Sequence, residues 1–265
     1  MCPICASQSQ FKLKTEKYKY DIYSCNNKEC NHYFYKDFYP GQGVDQREEN
    51  VENESDNTLN TFKDRNERLL RYLLKQIPSK LRYTFLDFGS GVAHISRVFK
   101  NSLKEKVEIY CFEPNEKLEG FYKKFKLIQI LELKIEKNNY DLIYLIEVIE
   151  HLDNPKQVLM DLKNVMNKDT KLFITTPKAE DYELGDCYDN PSHIHFFTEN
   201  SLNFLLNSLG FKKMKFRYVP EMYPFDLLTF RKEKLKSVFI NFFLMTGFKI
   251  DFQFKNHLVG FTQIK

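Results

Sequence analysis

Tryptophan is absent from the 265-residue chain, and glycine and proline number only nine each. No stretch approaches the ~18 consecutive apolar residues that a membrane-spanning helix needs. The first residues, MCPICASQ, lack the basic-then-apolar order of a secretory signal. A cytoplasmic protein without a membrane span is therefore expected. A charge excess is lacking too. The 40 basic and 36 acidic residues leave a formal charge of +4. A dedicated nucleic-acid binder carries a denser basic footprint, so nucleic acid is not the favoured partner. No internal repeat is visible. What the chain does have is 42% hydrophobic and 29% charged residues, which suits a packed domain rather than a disordered tail. The length fits one domain of about 150–220 residues plus an appendage. The 25 Phe and 16 Tyr accompany abundant Lys, Asn and Ile, a bias of AT-rich coding, and carry little functional weight.

Four of the six cysteines fall in the first 30 residues: Cys2, Cys5, Cys25 and Cys30. They form C-x2-C and C-x4-C, separated by 19 residues that alternate like a strand. In a cytosolic chain, paired close cysteines read as a structural zinc site rather than as disulfides. Four thiolates complete a tetrahedron and leave no open position. His32 follows closely and is an alternate to Cys30. Cys111 and Cys187 stand alone and read as small buried hydrophobes.

This divides the chain into a zinc ribbon (1–40), a polar, acidic linker or lid (41–60) and a larger domain (61–265). An amphipathic helix is predicted over 61–77, ended by Pro78. Short apolar runs at 83–88, 106–112, 125–130, 141–146 and 171–176 alternate with helical stretches such as 158–166. That is the rhythm of an α/β fold, a doubly wound parallel sheet with helices on both faces. A helix over 201–211 closes on a glycine, and 212–219 and 257–265 are expected to pair as an antiparallel hairpin. Between them, 220–256 is an insertion whose apolar part packs on the core or on a second subunit, or else caps a substrate or touches a membrane surface. It makes a homodimer an expectation.

FLDFGSGVAHISRVF (85–99) reads as strand, tight glycine turn and helix. Gly89 and Gly91 allow a ligand to approach the backbone, and the helix start offers N–H donors. His94 occupies the last glycine position of a dinucleotide fingerprint, so that fit is poor. Glu113 ends the next strand, 22 residues after Gly91, where an acidic residue holds two ribose hydroxyls.

With these residues in place, the stretch from about 65 to 219 resembles class I S-adenosylmethionine-dependent methyltransferases. The family's D-x-G-x-G-x-G loop appears as Asp87, Gly89, Gly91 and Ala93, with alanine replacing the last glycine. YDLIYLIEVIEHLDNP (140–155), LFITTP (172–177) and HIHFFTENSLNFLLNSLGF (193–211) resemble its later segments. The resemblance implies S-adenosylmethionine as cofactor, held by Asp87, Gly89, Gly91 and Glu113. It also implies a Rossmann-like seven-stranded sheet with one antiparallel strand, and an adenine contact between Gln129 and Glu132.

Glu147, Glu150 and His151 form E-x-x-E-H, and on a helix that spacing shares one face. Two carboxylates and an imidazole suit Mg²⁺ or Mn²⁺ with open water positions. The motif resembles that of ubiquinone-pathway O-methyltransferases and small-RNA 2′-O-methyltransferases, where a downstream histidine joins it. Alignment on Phe197 and Thr198 puts His193 there, with His195 as the alternate. A cation so held lowers an acceptor hydroxyl's pKa. Without one, the motif is a fold signature, and positioning plus His193 or His195 as general base does the work.

The resemblance favours O-methylation of a small polar metabolite or a bacterial surface-glycan (capsule) precursor, phosphorylated or nucleotide-linked, with the ribbon bracing the pocket. The alternatives are a ribosomal-RNA methyltransferase using the ribbon as a clamp, and a non-catalytic zinc scaffold.

Overall fold

The computed structural model describes residues 1–15, 18–37, 56–133, 140–179, 191–216 and 257–265. The lid reading of 41–55, the insertion at 220–256 and Cys187 lie outside these residues. The chain begins with three strands, β1 (Ser9–Lys14), β2 (Asp21–Cys25) and β3 (Tyr33–Tyr35). Helix α1 (Asp56–Leu74) leads into β4 (Tyr83–Phe88), α2 (His94–Leu103), β5 (Val107–Phe112), α3 (Glu119–Lys124), β6 (Ile128–Ile130) and β7 (Leu142–Ile146). Then come α4 (Pro155–Asn164), β8 (Lys171–Pro177), β9 (His195–Phe196), α5 (Glu199–Ser208), β10 (Lys215–Phe216) and β11 (His257–Thr262).

The large sheet has the order β10-β11-β8-β7-β4-β5-β6. β6, β5, β4, β7 and β8 run parallel, and β11 enters antiparallel to both β8 and β10. This is the expected seven-stranded sheet with one reversed strand. From β4 the chain builds outward to β6 on one side and then to β8 on the other. The order therefore reverses beside β4, and a crevice opens at the carboxyl ends of β4 and β7.

Alternation along the central strands explains why both faces are covered. Phe85, Leu142, Tyr144 and Phe173 face Leu69, Leu73 and Phe99 in one buried cluster. Leu86, Ile143, Leu145, Leu172 and Ile174 face Leu159, Leu162, Leu202 and Leu205 in the other. Strands buried on two sides need apolar residues at every position, which is why they read as unbroken runs. Isolated Cys111 is fully buried, as expected.

Several boundaries differ from the sequence reading. Helix α1 starts at Asp56, inside the stretch whose polarity marked it as linker. Asp, Asn and Thr are at home in the first turn of a helix, so polarity alone does not separate a linker from a helix start. The strand expected over 125–130 shrinks to Ile128–Ile130. Phe125 instead caps α3, with the Arg97 guanidinium 3.8 Å above its ring.

The ribbon is not a detached module. β3 pairs antiparallel with β9, extending β1-β2-β3 to four strands with the register Tyr33↔Phe196 and Phe34↔His195. Cys2, Ile4, Cys25, Cys30 and Phe34 join the same buried cluster as β8 and α5. Thr198 secures the joint. Its hydroxyl caps α5 by accepting from Ser201 N (3.0 Å), the Ser201 hydroxyl accepts from Thr198 N (2.9 Å), and Thr198 Oγ1 donates to Asn31 O in the ribbon (3.1 Å). Thr198→Ala is expected to lower unfolding free energy by about 1–2 kcal/mol in urea denaturation, the scale of a lost N-cap. A change below ~0.3 kcal/mol would show that the cap is dispensable.

Candidate active site

The loop after β4 is built by backbone geometry. Gly89 has φ +73°, and a Cβ there would lie 2.8 Å from Val148 Cγ1, so both conformation and space demand glycine. Gly91 (φ 48°) and Ala93 (φ 51°) are also left-handed. Ala93 thus adopts, at a cost of about 1 kcal/mol, the conformation that glycine takes freely. Gly89 N–H donates to Phe112 O (3.0 Å), tying the loop to the end of β5. Glu113 follows at once. Its two carboxylate oxygens accept from Gly91 N (3.1 Å) and Asn115 N (3.0 Å), so one side chain sets the separation of the two loops. It is 5% exposed at the crevice.

The sequence did not single out the four residues that support this loop. Tyr122 donates to Gly91 O and bonds the Ser90 hydroxyl at 2.8 Å. Ser96 donates to Asp87 Oδ2 at 2.6 Å and lies 2.5 Å from the Tyr144 hydroxyl. Each is an ordinary residue in its own segment, and only the crossing of helix and strand gives it a role. Gln129, within the expected adenine region, uses Nε2 to donate to Glu113 O (2.8 Å) and Asn115 O (2.9 Å). Its amide braces the Glu113 turn.

On the other side of the crevice, E-x-x-E-H does not form one helix face. Glu147 directly follows β7 with φ 55°, and a short 3₁₀ turn, Ile149–His151, comes next. The left-handed residue swings the Glu147 carboxylate away from the turn. Its Oε1 accepts from Thr175 Oγ1 (2.7 Å), and its Oε2 lies 3.1 Å from His257 Nε2. His257 opens β11, more than a hundred residues downstream, and no local motif announces it. Burial pushes Glu147 up, but the His257 hydrogen bond and charge, with Thr175, hold it below the ordinary carboxylate value.

Glu150, His151 and His193 do converge, with one ligand-type atom of each within 4.8 Å of the others. Glu150 is 1% exposed, and among the described residues neither of its oxygens meets a donor in full hydrogen-bond geometry, the Thr176 hydroxyl being the side-chain donor that acts on it. His151 Nε2 stands 3.8 Å from Glu150 Oε1. On its other side, His151 Nδ1 meets Ser192 O at 2.8 Å, a contact that requires Nδ1 to carry the proton. The Nε2 lone pair is thereby left facing the cluster, the tautomer a metal-binding imidazole needs. Burial, then the charge of Glu147, pushes Glu150 well above the usual carboxylate range. The donor set and the orphaned carboxylate fit a divalent cation.

His195, the alternate to His193, is placed elsewhere. It is 1% exposed, and its Nδ1 lies 3.1 Å from His32 Nε2 inside the ribbon joint. Burial drives its pKa down to about 4 and lowers that of His32 as well. His32, turned to this contact, is outside the thiol cluster. The four cysteine sulfurs lie together, with Cys2–Cys30 at 3.9 Å and Cys5–Cys25 at 3.4 Å. A tetrahedral zinc ion with Zn–S of about 2.3 Å sets sulfurs roughly 3.8 Å apart, so the cluster has the right size. The Cys30 hydrogen bond lowers Cys2 to about 5 against burial, whereas burial raises Cys25 to about 12.

A family model described as a methyltransferase domain matches residues 61–215. A search of curated proteins gave no match. Among solved structures, the plantazolicin methyltransferase BpumL, in complex with a triazolic desmethylPZN analog and SAH, aligns with a TM-score of 0.55. The identity is 15%, over 85% of this chain and 93% of that one. A Haemonchus contortus phosphoethanolamine N-methyltransferase 2, with phosphomonomethylethanolamine and S-adenosylhomocysteine, aligns at a TM-score of 0.52. The identity is 16%, over 76% of this chain and 52% of that one. At such identities the likeness is one of fold.

Asp87 gives the cofactor loop a pH signature. Burial, partly offset by the Ser96 hydrogen bond, raises it from 3.8 to about 7. A carboxyl raised on folding stabilises the fold fully below its unfolded pKa and loses that contribution as pH rises through about 7. The unfolding free energy of Asp87→Asn relative to wild type should therefore grow between pH 4 and pH 8, approaching ~4 kcal/mol in urea denaturation of the ligand-free protein. A difference flat with pH would mean that Asp87 is ionised throughout.

Proposed function

The chain belongs to the methyltransferase-domain family, and from that premise we propose that it moves a methyl group from S-adenosylmethionine to a hydroxyl of a small polar acceptor. The cofactor lies over the Asp87–Ala93 loop. Glu113 holds its ribose hydroxyls, and the N–H groups of the loop face its amino-acid end. The S-adenosylhomocysteine in the two similar structures accords with this cofactor. The acceptor sits beyond Val148, whose side chain abuts Gly89 and so puts the two halves of the crevice in contact. Surface-glycan precursors, phosphorylated or nucleotide-linked, are acceptors of the right class.

One observation carries the oxygen-acceptor reading: the Glu150 carboxylate is buried beside His151 and His193 and, among the described residues, meets no donor in full hydrogen-bond geometry. A buried carboxylate left unsatisfied is costly. Glu150, His151 and His193 would hold Mg²⁺ or Mn²⁺. A bound divalent cation supplies a Lewis acid that gathers the acceptor hydroxyl and lowers its pKa. Where no cation is bound, His193 is instead the general base that receives the hydroxyl proton; in either case Glu147, anchored by Thr175 and His257, keeps a fixed negative charge beside the cluster. Cys2, Cys5, Cys25 and Cys30 hold a structural zinc ion that stiffens the ribbon.

Titration of the zinc-loaded protein with S-adenosylhomocysteine and with Mn²⁺, followed by calorimetry and electron paramagnetic resonance, tests both halves. Glu150→Gln and His193→Ala should each weaken Mn²⁺ binding at least ~10-fold, with S-adenosylhomocysteine affinity unchanged. Mn²⁺ binding indifferent to both substitutions would refute the metal-assisted reading. Absence of S-adenosylhomocysteine binding would refute the cofactor assignment itself.

A further inference from the structure

At the far end of β8 from the crevice, a cavity of about 470 Å³ opens among Lys171, Lys212, Lys213 and Lys215. Among the described residues its lining includes no carboxylate, although the chain as a whole carries nearly as many acids as bases. The like charges of four lysines around one hollow repel each other, and none of the described residues lining it carries the opposite charge. The rings of Tyr72 and Phe261 form the apolar wall, with centroids 5.9 Å apart.

The lysines are set by the sheet rather than carried on a loose loop. Lys171 begins β8 and Lys215 lies on β10, so the two flank β11, which runs between those strands. The Lys171 ammonium donates to Gln263 Oε1, which keeps it at the cavity wall. The backbone at Lys212 is pinned twice: its N–H donates to Gln263 O (2.8 Å), and its carbonyl accepts from Thr262 Oγ1 (2.6 Å). Cationic roots fixed in this way lose less freedom on meeting an anion than lysines on a mobile segment.

We propose that this cavity binds an oligophosphate, either free or carried by a nucleotide. Several point charges around a hollow suit an anion of two or more charges, and a volume of this size admits a mononucleotide. The tilted Tyr72–Phe261 pair offers a face for a base. The site is separate from the methyl-donor crevice, because Lys171 and Thr175 are four residues apart on β8, roughly 13 Å along an extended strand. In doubly wound sheets the fold's own ligand binds at the opposite, carboxyl end of the strands, so the fold does not account for this hollow.

Calorimetric titration with inorganic pyrophosphate and with ADP tests the proposal on the full chain. Saturating S-adenosylhomocysteine closes the crevice to the nucleotide, and zinc content is checked before and after. Saturable binding of at least one ligand is expected. It should weaken with added salt and fall at least ~10-fold in a Lys171→Gln/Lys213→Gln variant. The affinity for S-adenosylhomocysteine and the thermal unfolding midpoint should stay as in wild type. Equal affinity for the two ligands identifies free phosphate chemistry. ADP binding tighter than pyrophosphate, and lost in Tyr72→Ala, identifies a nucleotide. No saturable binding at millimolar ligand, equal binding by wild type and the lysine variant, or retention only of long nucleic acid or acidic protein would overturn the proposal.

Discussion

His195 and Phe196 belong to two structures at once. As β9 they complete the sheet formed by the ribbon strands β1, β2 and β3. As part of the segment before α5 they also fix the stretch from Ser192 to Thr198, which borders the candidate active site. Tyr35 N–H donates to Ile194 O, and Ile194 N–H donates to Glu150 O, so one short run of backbone joins ribbon, histidine segment and acidic turn. The buried His32–His195 contact belongs to the same joint. The pairing adds to the two bonds that tie the segment directly to the acidic turn, His151 Nδ1–H to Ser192 O and Ile194 N–H to Glu150 O. The ribbon thus does for the acceptor side what Glu113 and the glycine loop do for the cofactor side.

The two sides differ in how they are stiffened. On the cofactor side nearly every polar group is satisfied: Glu113 by two backbone donors, Asp87 by Ser96, and the Gly91 carbonyl by Tyr122. On the other side Glu147 is anchored, while Glu150 is buried with no well-formed hydrogen bond among the described residues. Such asymmetry is expected where one surface is preformed and the other is completed by an ion or a substrate. Val148 connects them, because its side chain occupies the space that any Cβ at Gly89 would need.

Much of this was legible in the sequence because local pattern determines it. The apolar runs gave strands buried on both faces, and the glycine spacing together with Glu113 gave the paired turns at the ends of β4 and β5. The cysteine spacing anticipated the four-sulfur cluster. What was not legible depends on distant segments meeting. His257 pairs with Glu147 only because β11 is reversed beside β8. The ribbon's union with β9 needs a contact between residues more than 160 positions apart. The helical reading of E-x-x-E-H failed for a different reason. Its spacing fits a helix face, but the left-handed turn at Glu147 breaks the period one residue after β7. The choice between His193 and His195 also required the fold, since both are histidines in one short run and only the strand pairing separates their surroundings.

The central claim is that the ribbon holds the acceptor-side histidine segment in place. Hydrogen–deuterium exchange on the metal-loaded protein and on a Cys25→Ser/Cys30→Ser variant tests it most directly. The account predicts that amides in 21–25, 33–35 and 193–197 lose protection together in the variant, while those in 83–91 and 107–113 keep theirs. A ribbon that opens with 193–197 still protected would contradict it.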